Sequence, residues 1–187
     1  MSALSFEGLV LAGGESRRMG TDKALLKSDG ATWLERRVHL LHEVGCRRVR
    51  IATRAGMPHE VVDCEMLFDR SPNVGPLEPI AHGLATMLES HLLILAVDLT
   101  AMTSPWLSML MDRCAMGHGC VPRTGYGWET LAAVYPREVQ SLANAHLLAG
   151  NFAVKSFVQA CVQADLVLPW HLSAEEITQV RNANQAA

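Results

Sequence analysis

One stretch decides how the chain is interpreted: Leu11-Ala-Gly-Gly-Glu-Ser-Arg-Arg-Met-Gly-Thr-Asp-Lys23. It follows a short apolar run, Glu7-Gly-Leu-Val-Leu-Ala12, which stops at two glycines. A continuous apolar run that ends in this way is typical of a strand buried on both faces, as in a parallel sheet. We therefore expect the stretch to form the loop that leaves the first strand of such a sheet.

The residue types of this loop suit a phosphate group. Gly13 and Gly14 allow the backbone to approach a ligand closely, and successive free N–H groups in such a turn form a concave anion site. Arg17, Arg18 and Lys23 add positive charge, and an arginine can bind phosphate through two parallel hydrogen bonds. The alternative is a tight strand-to-helix turn whose basic residues are solvated. Three cations so close to the turn favour the anion site.

Two common phosphate motifs are excluded. In the pattern G-x-x-x-x-G-K-[ST] the second glycine is followed by Lys and then Ser or Thr, whereas Thr21 and Asp22 follow Gly20 here. The dinucleotide pattern G-x-G-x-x-G does not fit either. The loop is therefore a phosphate loop of another kind.

Short apolar segments alternate with amphipathic ones along the chain. We predict strands at 7–12, around Val49 and Ile51, and at 60–68, 92–97, 120–122, 131–135 and 166–168. We predict helices at 33–44 with Gly45 as the stop, at 79–88, at 104–115 with Ser104 as the cap and Pro105 in the first turn, and at 151–163. This alternation predicts an α/β fold with a mainly parallel sheet covered on both faces. Ligands bind at the carboxyl ends of the strands of such sheets, where both the loop and Asp98 fall.

The composition limits what the protein can be. A length of 187 residues predicts a single domain, residues 1–187. A net charge of −3 gives no general attraction to nucleic acid or to an acidic membrane, and the longest N-terminal apolar run is too short for a signal peptide or a membrane span. The five cysteines are odd in number and contain no C-x-x-C pair, which argues against disulfides and zinc. We expect a cytoplasmic protein without nucleic-acid or membrane partners.

The loop resembles the L-A-G-G-x-S-x-R-M-G-x-D-K signature of the MobA-like nucleotidyltransferases, and within them the molybdenum cofactor guanylyltransferases. Further features follow in the order found in that family. Asp69 precedes Gly75-Pro-Leu77, Asp98 ends a hydrophobic strand, and Asn182-Ala-Asn184 is similar to a closing N-x-N motif. The resemblance spans nearly the whole chain and implies a three-layer α/β/α Rossmann-like nucleotide-binding fold.

The resemblance also implies a reaction and its residues. The terminal phosphate of molybdopterin would attack the α-phosphorus of GTP and release pyrophosphate, with Mg²⁺ bound by Asp98. Lys23, Arg17 and Asp98 would be the catalytic residues, and molybdoenzymes or their chaperones would be partners. The residues implied in nucleotide binding are Leu11, Ala12, Gly13, Gly14, Lys23, Thr53, Asp69, Asp98, Asn182 and Asn184.

Some of these positions have a second interpretation. Asp69-Arg-Ser-Pro72 is also a good turn, and Asn182 and Asn184 could be tail residues. Asp98 alone would more often be a loop or capping residue, but its place opposite the phosphate loop favours a metal ligand.

The chain departs from the family pattern at three places. The family has G-P-L-x-G where this chain has Gly75-Pro-Leu-Glu-Pro79, D-x-P where it has Asp98-Leu-Thr100, and N-x-N-T-P where it has Asn182-Ala-Asn-Gln-Ala. These departures leave the base and the acceptor open. The alternatives are CTP with molybdopterin, a sugar phosphate as the acceptor, or a non-catalytic nucleotide-binding protein that hands the cofactor to a partner.

Overall fold

A computed structural model describes residues 4–13, 23–28, 30–54, 61–69 and 74–181. Eight strands form one sheet in the order β10-β7-β9-β6-β1-β4-β5, and β8 pairs with β7. The remaining two strands, β2 and β3, form a small antiparallel hairpin. The strands are β1 (Phe6–Leu11), β2 (Lys27–Ser28), β3 (Ala31–Thr32), β4 (Arg48–Thr53), β5 (Glu65–Phe68), β6 (His91–Ala96), β7 (Gly119–Thr124), β8 (Gly127–Trp128), β9 (Ala132–Pro136) and β10 (Val167–His171).

The sheet is mainly parallel, as predicted. β1 lies between β4 and β6 and pairs with both in parallel, and β4–β5 and β7–β10 are also parallel pairs. β9 runs antiparallel to its neighbours β6 and β7, and β8 runs antiparallel to β7. The carboxyl ends of β1, β4, β5 and β6 therefore meet at one edge, which we call the carboxyl edge. The opposite edge is the amino edge.

Hydrophobic clusters cover both faces of the sheet. In β6, Leu93 and Leu95 pack into one cluster with helices α1 (Trp33–Glu43) and α3 (Ser104–Met111). Leu92 and Ile94 of the same strand pack into the other cluster, with helices α2 (Leu77–Thr86), α4 (Gln140–Leu148) and α5 (Val154–Gln163). Because successive side chains of a strand point to opposite faces, a strand buried on both sides is mostly apolar. The three-layer α/β/α Rossmann-like fold is confirmed.

The ends of α1 follow from local sequence. Thr32 and Glu35 form a reciprocal capping box, in which each side chain accepts a hydrogen bond from the other residue's backbone N–H. After the C-cap Val44 comes Gly45 with φ of +87°, in the left-handed region that glycine adopts without strain. The predicted stop at Gly45 is confirmed.

Other boundaries correct the sequence predictions. Thr103 rather than Ser104 is the N-cap residue of α3, and Ser104 is already helical with its hydroxyl hydrogen-bonded to Glu43. The same helix ends at Met111, earlier than predicted. The strand predicted at 60–68 covers only Glu65–Phe68 within the described residues. The predictions also missed the β2–β3 hairpin, α4 and the short helix α6 (Ala174–Ile177), which are short or weakly patterned.

A buried charge network lies at the amino edge, beneath α2. Glu7 and Arg50 are 0% and 1% exposed and approach within 2.9 Å, as an ion pair rather than a well-directed hydrogen bond. Arg50 donates to the Gly83 carbonyl at 3.0 Å and to the Thr86 hydroxyl at 2.6 Å, so its positive charge lies at the C-terminal end of α2. Burial lowers the pKa of Arg50, and the negative charge of Glu7 opposes that shift. The network fixes α2 on the sheet.

Candidate active site

The start of the glycine-rich loop is held at the carboxyl edge by strands on both sides. Ala12 donates its N–H to the Ala52 carbonyl of β4 at 2.9 Å. On the other side, the Leu11 carbonyl accepts the N–H of Val97, directly after β6, at 3.2 Å. Leu11, Ala12 and Gly13 therefore lie in the middle of the sheet edge, between the ends of two parallel strands.

Gly13, Thr53 and Asp69 come together at this position. A Cβ atom at Gly13 would lie 3.3 Å from Oδ2 of Asp69, which is tight, and 3.8 Å from Cα of Thr53, which is an ordinary contact. Asp69 follows β5 and donates its backbone N–H to the Thr53 carbonyl at 3.0 Å. The sequence placed these three residues in one nucleotide site only through the family resemblance. The partly exposed Gly13 backbone and the Asp69 carboxylate therefore face each other at the carboxyl edge.

Asp69 is a carboxylate in a partly desolvated position. Burial raises its pKa, and the positive charge of Arg54 offsets only part of that shift. Its Oδ2 would lie 3.3 Å from a Cβ atom placed on Gly13, so the carboxylate faces the start of the glycine-rich loop. A hydrogen-bond donor on a bound ligand, such as a ribose hydroxyl or a base N–H, would satisfy this carboxylate.

Asp98 lies two residues after the end of β6 and is half-buried. The residue before it, Val97, is hydrogen-bonded to Leu11, so Asp98 borders the start of the glycine-rich loop. Among the described residues, no group of three or more His, Cys, Asp or Glu side chains could hold a metal by itself. A single carboxylate fits Mg²⁺, which commonly takes one or two protein carboxylates and completes its shell with phosphate oxygens and water. Asp98 could hold such an ion.

Lys23 stands at the far end of the loop. It opens a 3₁₀ turn, Lys23–Leu25, whose next residue Leu26 donates its N–H to the Lys23 carbonyl at 3.1 Å. Ala24 is fully buried in this turn and belongs to the α1-side core. The backbone that carries Lys23 is thereby anchored. Four other predicted site residues, Gly14, Arg17, Asn182 and Asn184, lie outside the described residues.

The altered segment after Gly75 begins α2. Gly75 has φ of +78°, and Leu77, Glu78 and Pro79 form the first helical turn, which starts earlier than predicted. A proline is tolerated there because the first backbone N–H groups of a helix have no intrahelical partner. Glu78 is 6% exposed, and an acidic residue in the first turn is stabilised by the helix dipole. The departure from the family pattern is therefore compatible with a regular helix start at the carboxyl edge.

Comparison with known proteins identifies the family of this chain. A family model described as MobA-like NTP transferase domain matches residues 8–165. The chain belongs to this family. Its relatives include a "Probable molybdenum cofactor guanylyltransferase" of Opitutus terrae, which is 36% identical over 98% of this chain and 93% of that protein. A protein of the same description from Mycobacterium tuberculosis is 31% identical over 94% of this chain and 89% of that protein.

Solved structures share the fold of this MobA-like NTP transferase. Molybdopterin-guanine dinucleotide biosynthesis protein A from Archaeoglobus fulgidus superposes with a TM-score of 0.70 at 18% identity, over 96% of this chain and 92% of that one. A 2-C-methyl-D-erythritol 4-phosphate cytidylyltransferase from Thermus thermophilus gives 0.68 at 16% identity, over 96% and 93%. Identities this low show the fold alone.

The MobA-like NTP transferase fold also brings to this edge a carboxylate that sequence reasoning missed. Glu129 lies between β8 and β9, and its Oε1 accepts the Thr124 hydroxyl at 3.4 Å. Two residues on, the Leu131 carbonyl accepts the N–H of Ala96 at 2.9 Å, which places this loop beside the end of β6. Burial raises the pKa of Glu129, and Lys155 partly opposes the shift. Its place directly before a predicted strand was the available signal.

Within the described part of this family member, none of the helices is long and apolar enough to cross a bilayer.

Proposed function

We propose that this MobA-like NTP transferase transfers GMP from GTP to the terminal phosphate of molybdopterin and releases pyrophosphate. The observation that carries the proposal is the position of Leu11 to Gly13. One flank of this segment meets Thr53 and Asp69, and the other meets the strand end that leads to Asp98. The names of the relatives from Opitutus terrae and Mycobacterium tuberculosis support this choice of base and acceptor.

The reaction forms one bond to the α-phosphorus and breaks another. An oxygen of the acceptor phosphate forms a bond to the α-phosphorus, and the bond from that phosphorus to the oxygen bridging the β-phosphate breaks. The electron pair of the broken bond leaves with pyrophosphate. Such a transfer depends on in-line positioning and on neutralising phosphate charge, so a protein nucleophile is not required.

Different residues would bind the nucleotide and neutralise the phosphate charge. The backbone at Leu11–Gly13 would bind the nucleotide, and the absence of a side chain at Gly13 would let it approach closely. Thr53 and Asp69 would contact the nucleoside, while Lys23 and Arg17 would neutralise charge on the departing pyrophosphate. Gly14, Asn182 and Asn184 would complete the nucleotide contacts.

Asp98 would hold Mg²⁺. A bound Mg²⁺ withdraws charge from phosphate oxygens and orients them. One carboxylate of the chain would be enough, because Mg²⁺ commonly completes its shell with phosphate oxygens and water.

The proposal is tested by incubating the protein with molybdopterin, Mg²⁺ and each of GTP, CTP and ATP, and measuring pyrophosphate. We expect release with GTP that requires both the acceptor and the metal. Release with CTP alone would show a cytidylyl transfer instead. No release with any nucleotide, together with measurable nucleotide binding, would indicate a non-catalytic nucleotide-binding protein.

A further inference from the structure

A cleft lies on the α1 side of the carboxyl edge. Its volume is about 310 Å³, and it is lined by residues of the β2–β3 hairpin, the first turn of α1 and the loop after Asp98. This volume is at the lower end of the range of small-molecule sites. The lining residues are Lys27, Ser28, Trp33, Arg36, Arg37 and Thr100.

Arg37 is the most deeply buried residue of this set. It is 6% exposed, its Nη1 donates to the Leu99 carbonyl, and its Nε is buried without a hydrogen-bond partner among the described residues. The ion pairs found among those residues do not include Arg37. Burial of a cation without an opposite charge is costly. Arg37 lines the cleft, so an anion bound there would offset the cost of burying its charge.

The electrostatics of Arg37 agree with its geometry. Burial, with repulsion by Arg36 as a smaller cause, lowers its pKa to about 10, so the side chain remains charged at neutral pH. An anion in the cleft would offset both the burial of the Arg37 charge and its repulsion by Arg36. The acidic residue of the same helical turn, Glu35, does not line the cleft and is occupied by the capping box with Thr32.

The rest of the lining suits a particular kind of anion. Lys27 and Arg36 bring the number of cations to three, and Ser28 and Thr100 add hydroxyl groups. Arg36 is oriented by its hydrogen bond to the Ser28 carbonyl. Trp33 contributes an aromatic surface, on which a planar ring can stack. The combination of a concentrated positive charge and an indole matches a phosphate attached to a planar ring.

We infer that this cleft binds the phosphate of a small planar phosphate monoester, with Lys27, Arg36 and Arg37 around the phosphate and Trp33 beside the ring. The lining residues do not include Gly13, Thr53 or Asp69, and we expect the cleft to be filled while the nucleotide site is occupied. The inference does not depend on the reaction proposed above.

The test uses phenyl phosphate as the probe and calorimetry as the readout, at constant ionic strength and in the presence of saturating GTP and Mg²⁺. We expect one binding site on the wild-type protein and a larger Kd for inorganic phosphate, which lacks the ring. Lys27→Gln and Arg36→Gln should each raise the Kd for phenyl phosphate by about tenfold, since each removes a charge-assisted contact. Arg37→Met should abolish binding.

The matched control is Arg47→Gln, which removes an exposed arginine from another part of the surface and should leave the Kd unchanged. If Arg37→Met fails to fold, Lys27→Gln and Arg36→Gln decide alone, because their side chains are not fully buried. Absence of binding to the wild-type protein would overturn the inference. So would equal weakening by Arg47→Gln, or complete displacement of phenyl phosphate by GTP. A Kd for inorganic phosphate as low as that for phenyl phosphate would overturn the role of Trp33.

Discussion

The buried charges at the two edges of the sheet have different partners. At the amino edge, Glu7 and Arg50 are fully buried, but they lie 2.9 Å apart and further hydrogen bonds surround them. At the carboxyl edge, burial is the main cause of the raised pKa of Asp69 and of the lowered pKa of Arg37. At the amino edge burial lowers the pKa of Arg50 as well, but there the buried cation has the buried carboxylate of Glu7 beside it. The carboxyl edge holds charges that a ligand can satisfy.

This difference separates structural from functional groups better than burial alone. A buried ion pair is weak evidence for function, since removing one member mainly leaves an uncompensated charge. A desolvated ionisable group in a cleft, without a full set of partners, is a candidate for binding or catalysis. Substitutions at the two edges should therefore affect different measurements.

The largest effect is expected from Glu7→Gln at the amino edge. The substitution leaves Arg50 buried with a neutral neighbour, and breaking such a pair typically costs about 3 to 5 kcal/mol of unfolding free energy. Denaturant unfolding measures the loss. Turnover under conditions where the variant is still folded should be unchanged.

The control is Glu89→Gln, which removes the ion pair with Arg47 at the same edge. The Arg47 side chain is 66% exposed, so the change should be below about 1 kcal/mol. Equal losses in both variants would contradict the view that the buried pair fixes this edge.

At the carboxyl edge, Asp98→Ala should remove Mg²⁺-dependent turnover and leave stability nearly unchanged. By analogy with the loss of other groups that stabilise transition-state charge, the rate should fall by at least about 10² to 10³. Steady-state pyrophosphate release with varied Mg²⁺ measures the effect, and Asp112→Ala, an exposed aspartate at the end of α3, is the control. Unchanged turnover would remove Asp98 from the metal site.

A smaller effect with two readouts is expected from Asp69→Asn. Because the folded state raises the pKa of this carboxyl, protonation favours folding. That contribution is present below the ordinary aspartate pKa and is lost as the pH rises through the raised value. At neutral pH the substitution should leave the Tm of the ligand-free protein unchanged or higher, while it weakens GTP binding by about tenfold. A lower Tm with unchanged GTP affinity would mark Asp69 as a turn residue.

The fold was largely predictable because its strands are buried on both faces. The run at 92–97 is apolar throughout, and the run before Gly13 is apolar from Gly8 to Ala12, a pattern that an exposed strand does not require. The antiparallel direction of β9 was not predictable, since a short apolar strand carries no signal for its direction. The α3 cap was wrong because Thr103 and Ser104 are adjacent and both suit the position chemically.

The site was predictable only in part. Family resemblance led to Gly13, Thr53 and Asp69, and their convergence depends on the pairing of β1, β4 and β5, which are far apart in sequence. The roles of Lys23 and Asp98 remain predictions. The cleft at Arg37 was not predicted. The burial of Arg37 depends on a contact between α1 and Leu99, which are far apart in sequence, and the sequence around Arg37 gives no sign of it.

The most direct test of the proposed transfer uses GTP labelled on a single phosphate and incubated with the protein, molybdopterin and Mg²⁺. The measurement is which product carries the label. With the label on the α-phosphate, we predict that it appears in a guanine dinucleotide product. With the label on the γ-phosphate, we predict that it appears only in pyrophosphate. Transfer of the γ-label to the acceptor, or its release as inorganic phosphate, would contradict the account.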